Sequence, residues 1–444
     1  MHYIAQVIFI LIFATASYLI AKRVGKIRRN ILLGKDTNRG DRPADRLKMM
    51  ALVALGQKKM FKRPIPAILH IMVYLGFIIV NVEILEIIID GIFGTHRVFA
   101  PVLQGFYPAL VDVFEFLAVC VIFACAVFLI RRNILHVNRF KGIEMTSWPR
   151  LDANIILATE IFLMCCFLTM NASDQVLQTR GESHYFTTGE FFFSHLLIGL
   201  LSGLDSSALI MVERFCWWAH IIGVLAFGYY VVWNSKHLHI GLAFPNTYFS
   251  KLEPAGQFRN MPEVTKEVKL MLNLPVTEDA TAAPASPGRF GAKDVQDLTW
   301  KNLMEAYSCT ECGRCTSQCP ANLTGKKLSP RKIMMDTRDR LEEVGKNIDL
   351  KGKDFQDGKS LLGDYITPEE ILACTTCNAC VEACPVNIDP VSIIMQLRQF
   401  KIMEESQAPP SWNAMFSNVE NNFAPWKFSP SDRFNWVNKL NKQD

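Results

Sequence analysis

Eight cysteines stand in two runs of one spacing. Cys309, Cys312, Cys315 and Cys319 precede Pro320, and Cys374, Cys377, Cys380 and Cys384 precede Pro385, so CxxCxxCxxxCP occurs twice. Clustered thiolates at such spacing are ligands for iron–sulfur or zinc centres. A [4Fe–4S] cube needs four thiolates arriving from different directions. Three come from a tight turn, and where two runs serve two cubes the fourth cysteine of each reaches the other cube. On that rule Cys309, Cys312, Cys315 and Cys384 hold one cluster, and Cys374, Cys377, Cys380 and Cys319 hold the second. Zinc also uses CxxC pairs, but it gives no reason for a third cysteine and a terminal Cys-Pro in both runs.

Histidines form the second set. Four of the nine in the chain lie in or beside long apolar stretches: His70, His220, His237 and His239. An ionisable side chain at such a place calls for a function, and neutral imidazole is a metal ligand.

The elements that must position these residues divide the chain in two. Stretches of low charge run over 3–21, 65–89, 103–130, 155–170 and 209–233, most of them near the ~20 residues that cross a bilayer core. They predict five transmembrane helices. "FFFSHLLIGLLSG" from Phe191 is too short to span and is expected at the interface or packed on the bundle. The first stretch lacks a basic leader and is followed by Lys22, Arg23, Lys26, Arg28 and Arg29, so it reads as a span rather than a signal peptide. Residues 21–63 hold 14 Lys and Arg and residues 131–150 hold 5, whereas 91–108 and 172–208 hold one Arg each. The positive-inside rule then puts the N-terminus outside and everything after the fifth span in the cytoplasm. The net charge of +5 mostly reflects these loops and does not argue for nucleic acid. Cytoplasmic thiols stay reduced, which favours metal ligation over disulfides. Cys120, Cys125, Cys165, Cys166 and Cys216 fall within spans and read as small packing residues.

Beyond the spans the chain predicts helices and no strands. "PVTEDATAAPASPGRFGAKD" from Pro275 reads as a flexible linker. Helical periodicity follows Asp294 and Pro330, Thr367 and Pro368 open a further helix, and another runs from about Asp389 to Glu405. The tail from Gln407 shows little periodicity. The expected organisation is all-α: a membrane domain over 1–245, a linker over 246–292, a cytoplasmic α-helical ferredoxin domain over 293–405, and a tail over 406–444. The helix-filled gap between Cys319 and Cys374 makes that domain resemble the α-helical ferredoxin module of heterodisulfide reductases, succinate dehydrogenase iron–sulfur subunits and membrane iron–sulfur oxidoreductases.

With the second span running outward and the fifth inward, His70 shares a depth with His237 and His239 near the cytoplasmic face. That arrangement suits two imidazoles on one haem iron. The membrane half is similar to the gamma subunit of respiratory nitrate reductase and its heterodisulfide reductase relatives, five-helix b-type cytochromes. Their His-x4-Gly and Ser-Arg-x-x-His-Ile elements correspond here to His70-x5-Gly76 and to Ser235-Lys236-His237-Leu238-His239-Ile240. The resemblance implies one haem b, with His70 and His239 as axial ligands and His237 in reserve. At the depth of the family's second haem ligand on the second span, this chain has Val80, Asn81 and Glu83. His220 is left as a ligand whose distant partner is His195, or as a hydrogen-bond donor to a quinone. Glu83, Glu86, Asp112, Glu115 and Glu213 fall in the outer halves of their spans, where protons exchange with the outer face.

No GxGxxG follows a strand pattern and no hydrolase triad stands out, so any soluble substrate meets another subunit. The expected role is the electron-transfer subunit of a quinone-linked oxidoreductase in a bacterial inner membrane, fed by an electron-transfer flavoprotein or a soluble dehydrogenase. Quinol oxidation driving a heterodisulfide reductase-like partner is the alternative, and a redox sensor is a third reading. The aromatic tail, with Phe423, Trp426, Phe428, Phe434 and Trp436 near Arg433, is expected to dock a separate CCG-domain iron–sulfur subunit. Elemental analysis of the purified chain should return about nine iron, eight from the clusters and one from the haem, and about eight sulfide per chain. Stoichiometric zinc with little iron would contradict the cluster reading.

Overall fold

The computed structural model describes residues 2–135, 137–254, 256–258, 260–276, 290–432 and 434–440. Its fold is all-α, with five helices long and apolar enough to cross a membrane and a helical domain holding both cysteine runs. Among the described residues β-pairing is limited to two isolated bridges, Lys35 with Thr299 and Leu362 with Ile366.

The spans are Tyr3–Ile31, Pro64–Phe93, Ala100–Asn133, Trp148–Thr179 and Ser206–Trp233, each 28 to 34 residues long. At 1.5 Å per residue these exceed a ~30 Å hydrocarbon core, so their ends project beyond it. Proline stands in the first turn of the second and fourth helices, where its missing N–H costs nothing. The bundle closes as a ring: each span packs on its neighbours in sequence, and the first packs on both the second and the fifth. Small residues permit the closest approaches. A Cβ on Gly76 would meet Val121 Cγ2 at 2.5 Å, and one on Gly223 would meet Leu163 Cδ2 at 2.6 Å. The short helix Phe192–Leu201 packs against the third and fourth spans.

The cysteine domain sits at the end of the bundle where the two basic loops lie. Its helices include Trp300–Ser308, Pro330–Lys351, Pro368–Leu372, Ala379–Ala383 and Pro390–Gln399. Thr367 and Glu370 close a reciprocal capping box at the start of one of them. The domain core, built on Leu298, Leu303, Ile333, Leu341, Ile393 and Leu397, also takes in Ile27 and Ile31 from the first span. Around them Arg23 pairs with Glu342 at 2.8 Å, Lys26 with Asp349 at 2.7 Å, and Asn30 donates to Tyr307 Oη at 3.0 Å. Gly345 lies against Asn30, where a Cβ would come within 2.4 Å of the amide. The basic residues at the end of the first span therefore pair with the domain.

Two stretches carry more helix than expected. The stretch expected as linker holds the helix Pro262–Met271 and the last three residues of His239–Tyr248; its residues 277–289 lie outside the described residues. The tail is helical over Pro410–Asn422 and Asn435–Leu440, with Trp426, Phe428, Phe434 and Trp436 exposed. Pro409 and Pro410 start the first of these helices, and its apolar residues are too few to give a strong periodic signal. Arg433 lies outside the described residues.

The domain is also fastened to the loop between the third and fourth spans. Arg331, fully buried, reaches Glu144 at 2.8 Å and the Arg139 carbonyl at 2.6 Å, and Ser329 donates to the same carboxylate at 2.6 Å. Burial pushes the Glu144 carboxyl up, but Arg331 and Ser329 outweigh it and hold the group below the usual carboxylate value. Glu144→Ala should destabilise the chain by about 3–5 kcal/mol, because it leaves a buried guanidinium unpaired. Thermal unfolding in detergent checks this. The contribution of Glu144 should be present above its unfolded pKa of about 4.3 and disappear as pH falls through the lower folded value.

Candidate redox site

The two cysteine runs adopt the same turn. Glu311 and Gly313 flank Cys312 with φ of 54° and 70°, while Thr376 and Asn378 flank Cys377 with 56° and 59°. Gly and Asn enter the left-handed region most readily, and a chain that reverses there twice within three residues turns its thiols to one side. The two runs line two adjoining cavities. Cys309, Cys312, Cys315 and Cys384 face the first and Cys319, Cys374 and Cys377 the second, with Cys380 bordering both. The fourth cysteine of each run thus faces the cavity of the other. Backbone N–H groups point at two sulfurs, Thr376 donating to Cys374 Sγ at 3.4 Å and Ile388 to Cys384 Sγ at 3.3 Å. Such donors favour a thiolate and tune a bound cluster. Cys377 is the exposed member of the eight. Of the other five, Cys125, Cys166 and Cys216 are buried in the membrane core cluster.

The first cavity lies against the membrane half. Glu311, buried inside the first cysteine turn, accepts from Lys236 at 2.5 Å and from Arg338 at 2.8 Å. Lys236 also approaches Asp152 of the fourth span at 3.8 Å, and Asp152 accepts from Ser235 Oγ at 2.9 Å and Tyr230 Oη at 2.5 Å. Burial works against charge on both Lys236 and Glu311. The two cations still hold Glu311 below the usual carboxylate value, whereas burial keeps Lys236 below the usual amine value. Arg314, in the same turn, donates to the carbonyls of Lys59 at 3.3 Å and Met60 at 3.4 Å, and Arg63 donates to Ser317 Oγ at 2.8 Å. Lys62 pairs with Glu382 between the second run's last two cysteines. The segments that lead into His70 and His239 are therefore clamped to the cysteine turns at the end nearest the domain.

His70 and His239 meet there. Their ring centroids are 6.4 Å apart with planes 42° from parallel. Two metal–nitrogen bonds of about 2 Å placed end to end, plus a half-width of each ring, give a span close to this. His239 Nδ1 lies 3.1 Å from the Lys236 carbonyl, which fixes that nitrogen as donor and leaves Nε2 with its lone pair. His237 stacks on His239 at 5.3 Å, and its Nδ1, like that of His70, has no hydrogen-bond partner among the described residues. Burial pushes both His237 and His239 below the ordinary imidazole value, so both stand neutral at pH 7. The donor set fits a bis-histidine iron.

His220 is elsewhere, fully buried in the fifth span, with Nδ1 2.9 Å from the Leu163 carbonyl. His195 is exposed on the short helix. The side chain opposite His220 is Glu83.

With this geometry in view, the chain can be set beside known proteins. Residues 308–388 match the 4Fe-4S dicluster domain. The chain is 28% identical to a "Probable iron-sulfur-binding oxidoreductase FadF" of Bacillus subtilis over 97% of its own length and 60% of the relative. It is 25% identical to an "EtfAB:quinone oxidoreductase" of Syntrophomonas wolfei over 92% of this chain and 56% of that one. A "Probable membrane-anchored ferredoxin" of Chromohalobacter salexigens is 30% identical over 34% of this chain and 24% of the relative. The chain thus spans little more than half the length of the first two. No solved structure matches it.

The dicluster domain's clamp residues escaped the sequence reading. Glu311 sits inside a metal-binding motif that draws attention to its cysteines, and Lys236 passes as one more basic residue of a cytoplasmic loop. The carboxylates expected in the outer halves of the spans also separate by role. Glu86 accepts from Tyr107 Oη at 2.8 Å, Glu115 from the Ser194 N–H at 2.9 Å, Asp112 from the Phe192 N–H at 2.7 Å and Glu213 from Tyr185 Oη at 2.9 Å. These four have structural hydrogen bonds, while Glu83 Oε2 has none among the described residues. Arg97, counted only toward loop charge, pairs with Asp174 at 2.7 Å in the same region, a pairing missed because a single Arg in a short loop and an Asp past the apolar stretch look like surface residues.

Cys384→Ser should disturb the cluster facing Cys309, Cys312 and Cys315 and spare the one facing its sequence neighbours. Electron paramagnetic resonance of the reduced chain checks this: one of two cluster signals should change, and it should be the one also altered by Cys312→Ser. Loss of the signal altered by Cys377→Ser would contradict the crossed arrangement.

Proposed function

We propose that this chain is the membrane electron-transfer subunit of a quinone-linked oxidoreductase, carrying single electrons between a soluble redox partner and quinone. The observation that carries the reading is the His70–His239 pair at 6.4 Å, clamped directly behind the first cysteine turn. In this reading Cys309, Cys312, Cys315 and Cys384 hold the cluster nearest the membrane. Cys319, Cys374, Cys377 and Cys380 hold the outlying one, whose exposed Cys377 is where electrons from a partner enter or leave. His70 and His239 would hold a haem b, which would supply one-electron storage between clusters and quinone. Lys236 and Glu311 keep the two halves in fixed register, and the Lys236 carbonyl orients His239.

The relative named EtfAB:quinone oxidoreductase supports an electron-transfer flavoprotein as the soluble partner and quinone as the membrane substrate. The loop charges support a bacterial inner membrane with the N-terminus outside and the clusters in the cytoplasm. The exposed aromatics of the tail support docking of a CCG-domain iron–sulfur unit.

Reduced-minus-oxidised visible spectra test the wire. The purified chain should show a b-type haem absorbance that His70→Ala and His239→Ala each remove, while His237→Ala retains it. Menadiol should reduce the clusters of the unaltered chain. A full haem spectrum in His70→Ala, or no reaction with menadiol, would overturn the corresponding part of the reading.

A further inference from the structure

Glu83 and His220 face each other deep in the bundle. His220 Nε2 lies 3.7 Å from Glu83 Oε2, both side chains are at least nine-tenths buried, and neither atom has a hydrogen-bond partner among the described residues. Leaving one such atom unsatisfied in a low-dielectric interior is costly, and two orphans aimed at each other are not chance packing. At 3.7 Å they are too far apart for a direct hydrogen bond. The Nδ1 of His220 is committed as donor to the Leu163 carbonyl, so Nε2 presents a lone pair toward the carboxyl.

A polar route leads away from this pair. Glu86 is one helical turn further along the same face as Glu83. It accepts from Tyr107 Oη at 2.8 Å, and Arg97 donates to the same oxygen at 3.2 Å. Arg97 in turn holds Asp174 at 2.7 Å, which lies 3.3 Å from His96 Nε2. The His96 ring is 5.1 Å from that of exposed His184 at the end of the bundle away from the clusters. The charged groups facing Glu83 are Glu86 and Asp90 on its own helix and Arg97 from the loop beyond it.

From these contacts we infer that Glu83 is the proton-exchanging residue for the quinone reaction, with His220 as its positioning residue and the polar groups ordered around Arg97, which itself keeps its protons, as its connection to the far face. The inference rests on the quinone reading above. Quinone reduction consumes two electrons, delivered singly from the cluster side, and two protons. In each transfer the O–H bond of the Glu83 carboxyl breaks, an O–H bond forms on a quinone oxygen, and Glu83 regains a proton from the far face. Quinol oxidation runs the same steps backward.

The test uses the full chain in liposomes. Infrared difference spectra on electrochemical reduction should contain a protonated-carboxyl C=O band that Glu83→Gln removes, Glu83→Asp retains, and His220→Asn shifts in frequency; a purely structural Glu83 would give no band. Menadiol-driven cluster reduction should slow about a hundredfold in Glu83→Gln, with dithionite reduction unchanged as the check on folding. Glu190→Gln, at an exposed site, should match the unaltered chain. A band that survives Glu83→Gln, or an unchanged menadiol rate in that variant, overturns the inference. If the unaltered chain ignores menadiol, the quinone reading fails, and the infrared band still decides whether Glu83 exchanges a proton.

Discussion

One carboxylate holds the two halves of this molecule in register. Glu311 sits in a left-handed turn between two cysteines and answers a cation from each side, Lys236 from the membrane half and Arg338 from the dicluster domain. All three groups are largely withdrawn from water, so removing Glu311 leaves two uncompensated cations in a low-dielectric setting. A contact of that kind is worth little as net stability against an apolar substitute, but it tolerates no slippage. The cysteine turn, the helix from Pro330 and the segment carrying His237 and His239 are thereby fixed to one another, and a redox wire needs such fixed spacing more than it needs extra stability.

The membrane half adds a second constraint of the same type. Its far end is laced by Arg97, Asp174, Tyr107 and Glu86, so that buried charges are paired or hydrogen-bonded. Against that background the unpaired meeting of Glu83 and His220 stands out as the site left open. The cluster-side end and the far end thus differ in kind: one is closed by ion pairs to a second domain, the other is organised around a polar route.

The sequence disclosed what depends on local spacing. Five spans follow from runs of apolar residues, and the cysteine pattern carries its chemistry in its intervals, which the dicluster match over 308–388 agrees with. Helix direction and depth also put His70 level with both His237 and His239, and the resemblance chose between the two. What stayed hidden depends on rotation and on distant pairing. Depth along a span says nothing about which face a side chain occupies, so Val80 and Asn81 were as eligible as Glu83 to stand opposite His220. Glu311 and Lys236 lie 75 residues apart, and neither carries a local signal of the other. The tail helices were missed because Pro410–Asn422 is amphipathic only weakly and leaves its apolar side chains exposed.

Ile27 and Ile31 belong to the first of the five spans and yet complete the core of a domain that follows all five in the chain. Arg23 finds Glu342 at a sequence separation of 319. Loop closure over such a distance comes late in folding. During synthesis the first span therefore waits in the membrane with an unfinished apolar end, and the domain that receives it emerges only after the other four spans have been inserted. Maturation of this protein is then ordered by its topology: membrane insertion first, closure of the domain around the first helix second, with the cysteines brought to their final places only in the second stage.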